Sequence, residues 1–292
     1  MRVALFGRPF EVSKTKYIQH LVQKLEQENV SLTIENQFYD FLEEIITFNS
    51  NVTSFDSHEE LREQADILLS IGGDGTLLNT ITLVRDSGIP VLGINTGRLG
   101  FISSISTDEI DYAVTQIVKG EFTIQERTLL QLDSDSSLFG DTNIALNEVT
   151  VLKKDTSSMI KIHTYLDDEF LNSYWADGLI ISSPTGSTGY SLSCGGPIML
   201  PGTNNFIISP IAPHNLNVRP LVVSDDTVIR LKVEERDELA LVALDSRSRA
   251  IDPSLELTIR KAKFKIKLIR LREQTFVQTI REKLMWGKDK RN

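Results

Sequence analysis

Cysteine is almost missing from this chain. Cys194 is the only one among 292 residues, so no internal disulfide can form, and it reads as a small packed side chain. The 4 histidines (His20, His58, His163, His214) show no ligand spacing, which removes a structural zinc site. No apolar run approaches the roughly 18–20 residues that span a bilayer, and the apolar stretch in the opening MRVALFGRPF is too short for a secretion signal. These gaps lead us to expect a cytoplasmic protein with no membrane contact. Asn51-Val52-Thr53 matches a glycosylation acceptor, but without a secretion signal it reads as a chance tripeptide. Positive charge is also short: Lys+Arg 31 against Asp+Glu 40 leaves a net −9, which opposes binding to the phosphate backbone of nucleic acid.

What remains is ordinary for a soluble globular protein, with 40% apolar and 24% charged residues. At roughly 100–200 residues per domain, the length suits about two domains. The first part alternates strand-like and helix-like patterns. Residues 2–6 are an apolar run, after which Tyr17, Ile18, Leu21, Val22 and Leu25 recur at helical spacing, with Ser13 or Thr15 in position to cap. Val30, Leu32 and Ile34 alternate with polar residues as a strand would. Residues 38–48 and 59–65 read as helices, and 66–71 as a strand buried on both faces. A helical pattern over 76–85, a strand over 89–95 and a helix over 107–119 with Thr107, Asp108 and Glu109 at its start complete the series. Such alternation predicts an α/β N-terminal domain with a mainly parallel sheet.

From about residue 122 the texture changes to short β-type runs separated by Gly, Pro, Asp and Ser turns. That spacing predicts an all-β, sandwich-like C-terminal domain or a layered antiparallel sheet. Near the end, Lys261, Lys263, Lys265 and Lys267 alternate with apolar residues until the parity inverts at Ile269 and Leu271. The slip predicts a bulge or break at 267–269. Residues 273–283 read as a closing helix.

The chemistry concentrates in Gly72-Gly73-Asp74-Gly75-Thr76, which follows a buried strand and opens a helix. Glycines let backbone N–H groups approach phosphate oxygens, and a helix N-terminus adds donors and partial positive charge. Phosphate is the natural ligand. Asp74 makes no sense as a phosphate contact, because like charges repel; it must bind a metal, hold a hydroxyl or take a proton. Walker, GxGxxG and protein-kinase signatures are absent. A second glycine-rich loop, residues 93–101, brings Arg98 to the end of the next strand. Loops at strand C-termini of an open parallel sheet gather at one edge, so the two loops can share a crevice.

Farther along, residues 177–193 run from a strand into a loop dense in hydroxyls and glycines, which suits a sugar or nucleobase edge, with Tyr190 able to stack. Asn147-Glu148 interrupts an otherwise apolar strand read as 144–152. Polar residues there cost stability unless something pairs with them; a ligand hydroxyl or a solvated strand edge would each serve.

Taken together, GGDGT, the NTGRLGF loop, Asn147-Glu148 in LNEVTV, and ADGLIISSPTGSTGYSLSCGGP closely resemble the NAD kinases, in that order and spacing. GGDG alone would also fit diacylglycerol, sphingosine and 6-phosphofructokinases; a dinucleotide sensor without catalysis is an alternative of a different class, which the intact Asp74 disfavours. The resemblance implies domains at 1–121 and 122–268, with 269–292 returning to the first, in a homodimer or homotetramer. It implies transfer of the γ-phosphoryl of ATP, or of polyphosphate, to the 2′-hydroxyl of the adenosine ribose of NAD, with Mg²⁺ or another divalent cation. By matching position, Asp74 resembles the general base. Gly72, Gly73, Gly75, Thr76 and Arg98 resemble the phosphate-binding residues. Asp74, Gly75, Asn147, Glu148, Trp175, Asp177, Thr188, Gly189, Tyr190, Ser191, Leu192, Ser193 and Arg247 resemble the NAD-binding set. Three positions depart from the family pattern: Trp175 stands where a basic residue is usual, Arg247 follows Asp245-Ser246 where a glutamine is usual, and Gly189 replaces alanine in TGSTAY.

Overall fold

Residues 1–97, 100–103, 105–154, 159–234, 240–271 and 275–286 are described by a computed structural model of the chain. Strand and helix alternate first: β1 (Arg2–Gly7), α1 (Thr15–Gln27), β2 (Ser31–Glu35), α2 (Asn36–Glu43), β3 (Thr53–Phe55), α3 (His58–Gln64), β4 (Ile67–Ile71), α4 (Asp74–Val84), β5 (Val91–Asn95), β6 (Ile105–Ser106) and α5 (Ile110–Lys119). A run of strands follows: β7 (Thr123–Ser134), β8 (Ile144–Ala145), β9 (Glu148–Lys153), β10 (Ile160–Leu166), β11 (Glu169–Ala176) and β12 (Gly178–Ser182). After the short helix α6 (Tyr190–Ser193) come β13 (Asn205–Ile211), β14 (Leu221–Ser224), β15 (Ile229–Glu234), β16 (Ala240–Leu244), β17 (Arg247–Ile251), β18 (Glu256–Arg270) and the closing helix α7 (Phe276–Lys283).

The chain divides into two units, Met1–Glu126 with Ile266–Asn292, and Arg127–Lys265. Both crossings fall inside strands, β7 and β18, a few residues from the 121/122 and 268/269 divisions that the resemblance implies. A strand that continues through a boundary leaves no turn residue to mark it.

In the first unit β3, β2, β1, β4 and β5 lie side by side in parallel. Every residue of β4 and β5 is buried, as expected of parallel strands covered on both faces. Ile18, Leu21, Val22 and Leu25 of α1 and Ile110, Ala113, Val114 and Ile117 of α5 join Val3, Leu5 and Leu69 in one core. Each such side chain contributes about 1.5–3 kcal/mol on burial. Ile269 and Leu271, far along the sequence, belong to the same core. In α7, Ile280 is buried while Phe276 and Leu284 are half-buried; residues 272–274 and 287–292 of the expected closing segment lie outside the described residues.

The second unit stacks two antiparallel layers over a single core. One has the order β14-β13-β12-β9-β16-β17, and in the other β11, β10, β15 and β18 are neighbours. Side chains from both layers, among them Val149, Val151, Leu179, Ile181, Ile162, Leu231 and Leu257, meet in that core.

Three local expectations are corrected. β18 runs unbroken to Arg270, with Leu268 and Ile269 both buried and Leu268 opposite Val91 of the parallel sheet. The parity change marks burial on both faces, not a bulge. Helix α5 is preceded by a capping box of Ser106 and Glu109, one residue earlier than expected. The stretch 144–152 is two strands, β8 and β9, and Asn147 lies in the gap between them.

Candidate active site

In the first unit, β4 is followed by Gly72, whose φ of +149° is disfavoured for any residue with a side chain and whose added Cβ would collide with Thr76. Gly73 is the extended N-cap of α4 and Asp74 its first residue. Gly73 and Gly75 have nothing within 4 Å of the place a Cβ would take, so the backbone stands open. The first N–H groups of a helix lack intrahelical acceptors and carry partial positive charge, which is what a phosphate needs.

Beside this turn is a cavity of about 590 Å³ whose lining includes Gly72, Gly73, Thr76, Thr96, Arg8 and Lys14. Arg98, expected at the phosphates, lies outside the described residues; Arg8, Lys14 and the acidic Glu11 also line this cavity. Neither basic residue was singled out. The signal that could have found them is topological: β1 and β4 are adjacent and parallel, so the segment after β1 emerges at the same edge as the glycine turn.

Asp74 does not face phosphate with a bare charge. Its Oδ2 accepts from Phe101 N–H at 2.7 Å, and its Oδ1 accepts from Ile102 N–H at 3.2 Å and Ser103 N–H at 2.8 Å. The second glycine-rich loop is thereby tied to the first, as shared residence at one sheet edge implied. Gly100 makes this approach possible, since a Cβ there would collide with the Asp74 carboxylate. A further positive group, the largely buried Arg270 guanidinium, interacts electrostatically with Asp74; burial pulls its pKa down and Asp74 pushes it up. An ionised carboxylate offers about four lone-pair sites, and donors among the described residues take three, two on Oδ1 and one on Oδ2.

In the second unit, Asn147 and Glu148 stand where β8 gives way to β9. The amides of Leu146, Asn147 and Glu148 all donate to the carboxylate of Asp245, at 2.9, 2.8 and 3.1 Å. Two oxygens of this turn, Asn147 Oδ1 and Glu148 Oε2, are buried without a partner. Burial, and next the Asp245 charge, push the Glu148 carboxyl up to about 8. The hydroxyl-rich loop lies against this pair: an alanine Cβ at Gly189 would sit 3.0 Å from Glu148 Oε2. The glycine thus leaves room that the family's usual alanine would fill.

The other residues expected to contact a dinucleotide divide into reachable and committed groups. Tyr190 and Ser193 are exposed, and Thr188 and Leu192 half-buried. Ser191 is buried and its hydroxyl is bonded to Ser209 at 2.9 Å. Asp177, between β11 and β12, pairs with Lys153 at 2.6 Å. Trp175 is 56% exposed, with the His214 ring tilted against it at 5.2 Å. The Arg247 guanidinium donates to the carbonyls of Thr142 and Ile144 and lies 5.9 Å from the Phe139 ring. It clamps the segment leading to Asn147.

Comparison with known proteins fits this arrangement. Residues 3–122 match the ATP-NAD kinase N-terminal domain, and residues 146–271 match the ATP-NAD kinase C-terminal domain. The chain belongs to the NAD kinase family. It is 50% identical over 294 residues to an NAD kinase of Flavobacterium psychrophilum and 48% identical over 293 residues to one of Cytophaga hutchinsonii, covering 100% of both chains in each case. Among solved structures, an NAD kinase from Archaeoglobus fulgidus in complex with ATP is similar with a TM-score of 0.76 at 26% identity, over 98% of this chain and 99% of that one. Yeast NADH kinase complexed with NADH has the same fold, with a TM-score of 0.87 at 22% identity, over 98% and 88% of the two chains. Asp74 and its loops fall within the first NAD kinase domain match, and Asn147, Glu148, Asp177 and Arg247 within the second.

Proposed function

We propose that this NAD kinase transfers the γ-phosphoryl group of ATP to the 2′-hydroxyl of the adenosine ribose of NAD, giving NADP and ADP. The observation that carries the reading is Asp74, a carboxylate fixed by three loop amides, with one described donor on Oδ2 against two on Oδ1. Asp74 takes the proton of the ribose hydroxyl as the oxygen attacks phosphorus. Phosphoryl transfer has a loose transition state, so positioning and charge neutralisation supply most of the rate. Gly72, Gly73, Gly75, Thr76 and the α4 amides bind the donor phosphates, with Arg8 and Lys14 offsetting their charge. Asn147, Glu148, Asp177 and the loop 188–193 bind the dinucleotide.

Among the described residues no group of three or more His, Cys, Asp or Glu could cage a metal ion. In this reading the divalent cation is part of the Mg–ATP substrate. No described helix is long and apolar enough to cross a membrane. A cytoplasmic homodimer or homotetramer belongs to the same proposal. Edge strand β14, where Leu221 and Val222 are exposed, supports self-association.

The donor arm has its own test. Arg8→Ala and Lys14→Ala should each raise KM for ATP about 3–30-fold, the loss of roughly one charge-assisted contact, with KM for NAD nearly constant. Equal effects on both substrates in steady-state kinetics would contradict this. The acceptor is tested by offering NAD, diacylglycerol and a hexose phosphate with Mg–ATP. NAD should be the one phosphorylated, and a lipid or sugar product in its place would overturn the reading.

A further inference from the structure

Asp245 sits at the turn between β16 and β17, buried among backbone amides. Besides accepting from the N–H groups of residues 146–148, it donates its own N–H to the Glu148 carbonyl at 3.0 Å. From the other side, the Asn147 carbonyl accepts from Ser183 N–H at 2.9 Å, and the Leu146 carbonyl from Ser183 Oγ. Gly186 packs so tightly on the Asn147 carbonyl that a Cβ would collide with it. The turn is thus held rigidly from both sides, yet Asn147 Oδ1 and Glu148 Oε2 are left without partners. A buried polar group in that state is destabilising, and a ligand that bonds to it removes the cost.

We propose that Asp245 is a positioning residue for dinucleotide binding: its carboxylate gathers the amides of Leu146, Asn147 and Glu148, and so presents the unpartnered ends of Asn147 and Glu148 to the substrate. The inference rests on the dinucleotide reading above and adds to it the form in which Glu148 meets its ligand.

Two buried carboxyls side by side do not both ionise readily. Burial raises the Asp245 pKa, but three amides and the Arg247 guanidinium favour its charged form. Glu148 has only the Tyr190 backbone N–H. The other ionisable groups around it have partners of their own: Asp177 pairs with Lys153, Arg249 acts on Arg247, and Cys194 and Asp177 act on the Tyr190 phenol. The charge therefore stays on Asp245, and Glu148 is an acid at neutral pH, with its pKa at about 8. Its O–H donates to an acceptor of the dinucleotide, such as a hydroxyl oxygen or a ring nitrogen.

The test is NAD affinity by calorimetry from pH 6 to 9.5, with melting temperatures measured without ligand. Wild-type affinity should be constant at low pH and fall about tenfold per pH unit above the Glu148 pKa. Glu148→Gln, a permanent donor, should remove that fall. Asp245→Asn suits the backbone, since Asp245 has φ of +52° and Asn tolerates the left-handed region. Without the repelling charge, Glu148 should ionise about one pH unit or more lower, so the fall should begin earlier. If Asp245→Asn does not fold, Asp245→Gly, free at that φ and uncharged, is read the same way. A lowered melting temperature with an unmoved pH limb would reduce Asp245 to a structural tether and overturn the proposal. So would a Glu148→Gln variant as pH-sensitive as the wild type.

Without ligand the sign is separate. The unfolded chain releases the Glu148 proton near the ordinary carboxylate value, so wild-type stability should fall as pH rises from there to about 8. Glu148→Gln should lose this component and Asp245→Asn should end it at lower pH. A wild type that binds no NAD at any pH would defeat the proposed function. The ligand-free curves then decide the part of the Asp245 proposal that stands without NAD: shifts as stated uphold its control of Glu148 ionisation, and unshifted curves overturn it.

Discussion

Asp74→Asn should lower kcat by roughly 10²–10⁴, equivalent to about 2.7–5.5 kcal/mol of transition-state stabilisation, with NAD affinity nearly unchanged. The side chain keeps its size but cannot accept a proton. Asn still has one oxygen, able to receive the Ile102 and Ser103 amides, while its NH₂ group would oppose the Phe101 N–H that now lies 2.7 Å from Oδ2. A modest fall in melting temperature should therefore accompany the kinetic loss. Steady-state kinetics beside calorimetric NAD binding separates the effects. Retention of more than about a tenth of wild-type kcat would end the proton-acceptor role and leave Asp74 as an anchor for the loop.

The second large effect is expected at a residue with no side chain. Gly100→Ala would drive a Cβ into the Asp74 carboxylate, so either the loop or Asp74 must move. Each amide to the carboxylate contributes about 1.5–3 kcal/mol, and catalytic geometry tolerates little displacement. We expect kcat to fall about 10²-fold with KM for ATP changed much less, because Gly72 and Gly73 are untouched. A variant with wild-type kcat would show that the loop amides have no part in aligning Asp74.

The two variants also show why some of the site could be read from sequence and some could not. The glycine turn was legible because its chemistry is local: a buried strand, two glycines, an acid and a helix start occur within a few residues. The alternation of strand and helix gave the parallel sheet for the same reason, since periodicity is set by neighbours. The work of Asp245 was invisible because it acts across 97–99 residues of chain on the amides of 146–148. Asn147 and Glu148 stood out as polar in an apolar run, but the captured amides that divide the run into β8 and β9 could not be inferred from composition. Arg8 and Lys14 look like ordinary surface residues until β1 is known to lie beside β4. Arg247 occupies the place of a residue expected at the dinucleotide, yet its guanidinium is spent on two carbonyls of its own chain. The parity slip near Leu268 reads as a bulge in the sequence, because burial on both faces erases alternation as thoroughly as a bulge does.

The central claim is tested most directly by identifying the product. Purified protein with NAD and Mg–ATP, followed by ³¹P NMR and by a dehydrogenase specific for NADP, should yield a phosphomonoester on the 2′-oxygen of the adenosine ribose together with an equal amount of ADP. ADP formed without that ester, or an ester on any other oxygen of the dinucleotide, would contradict the account.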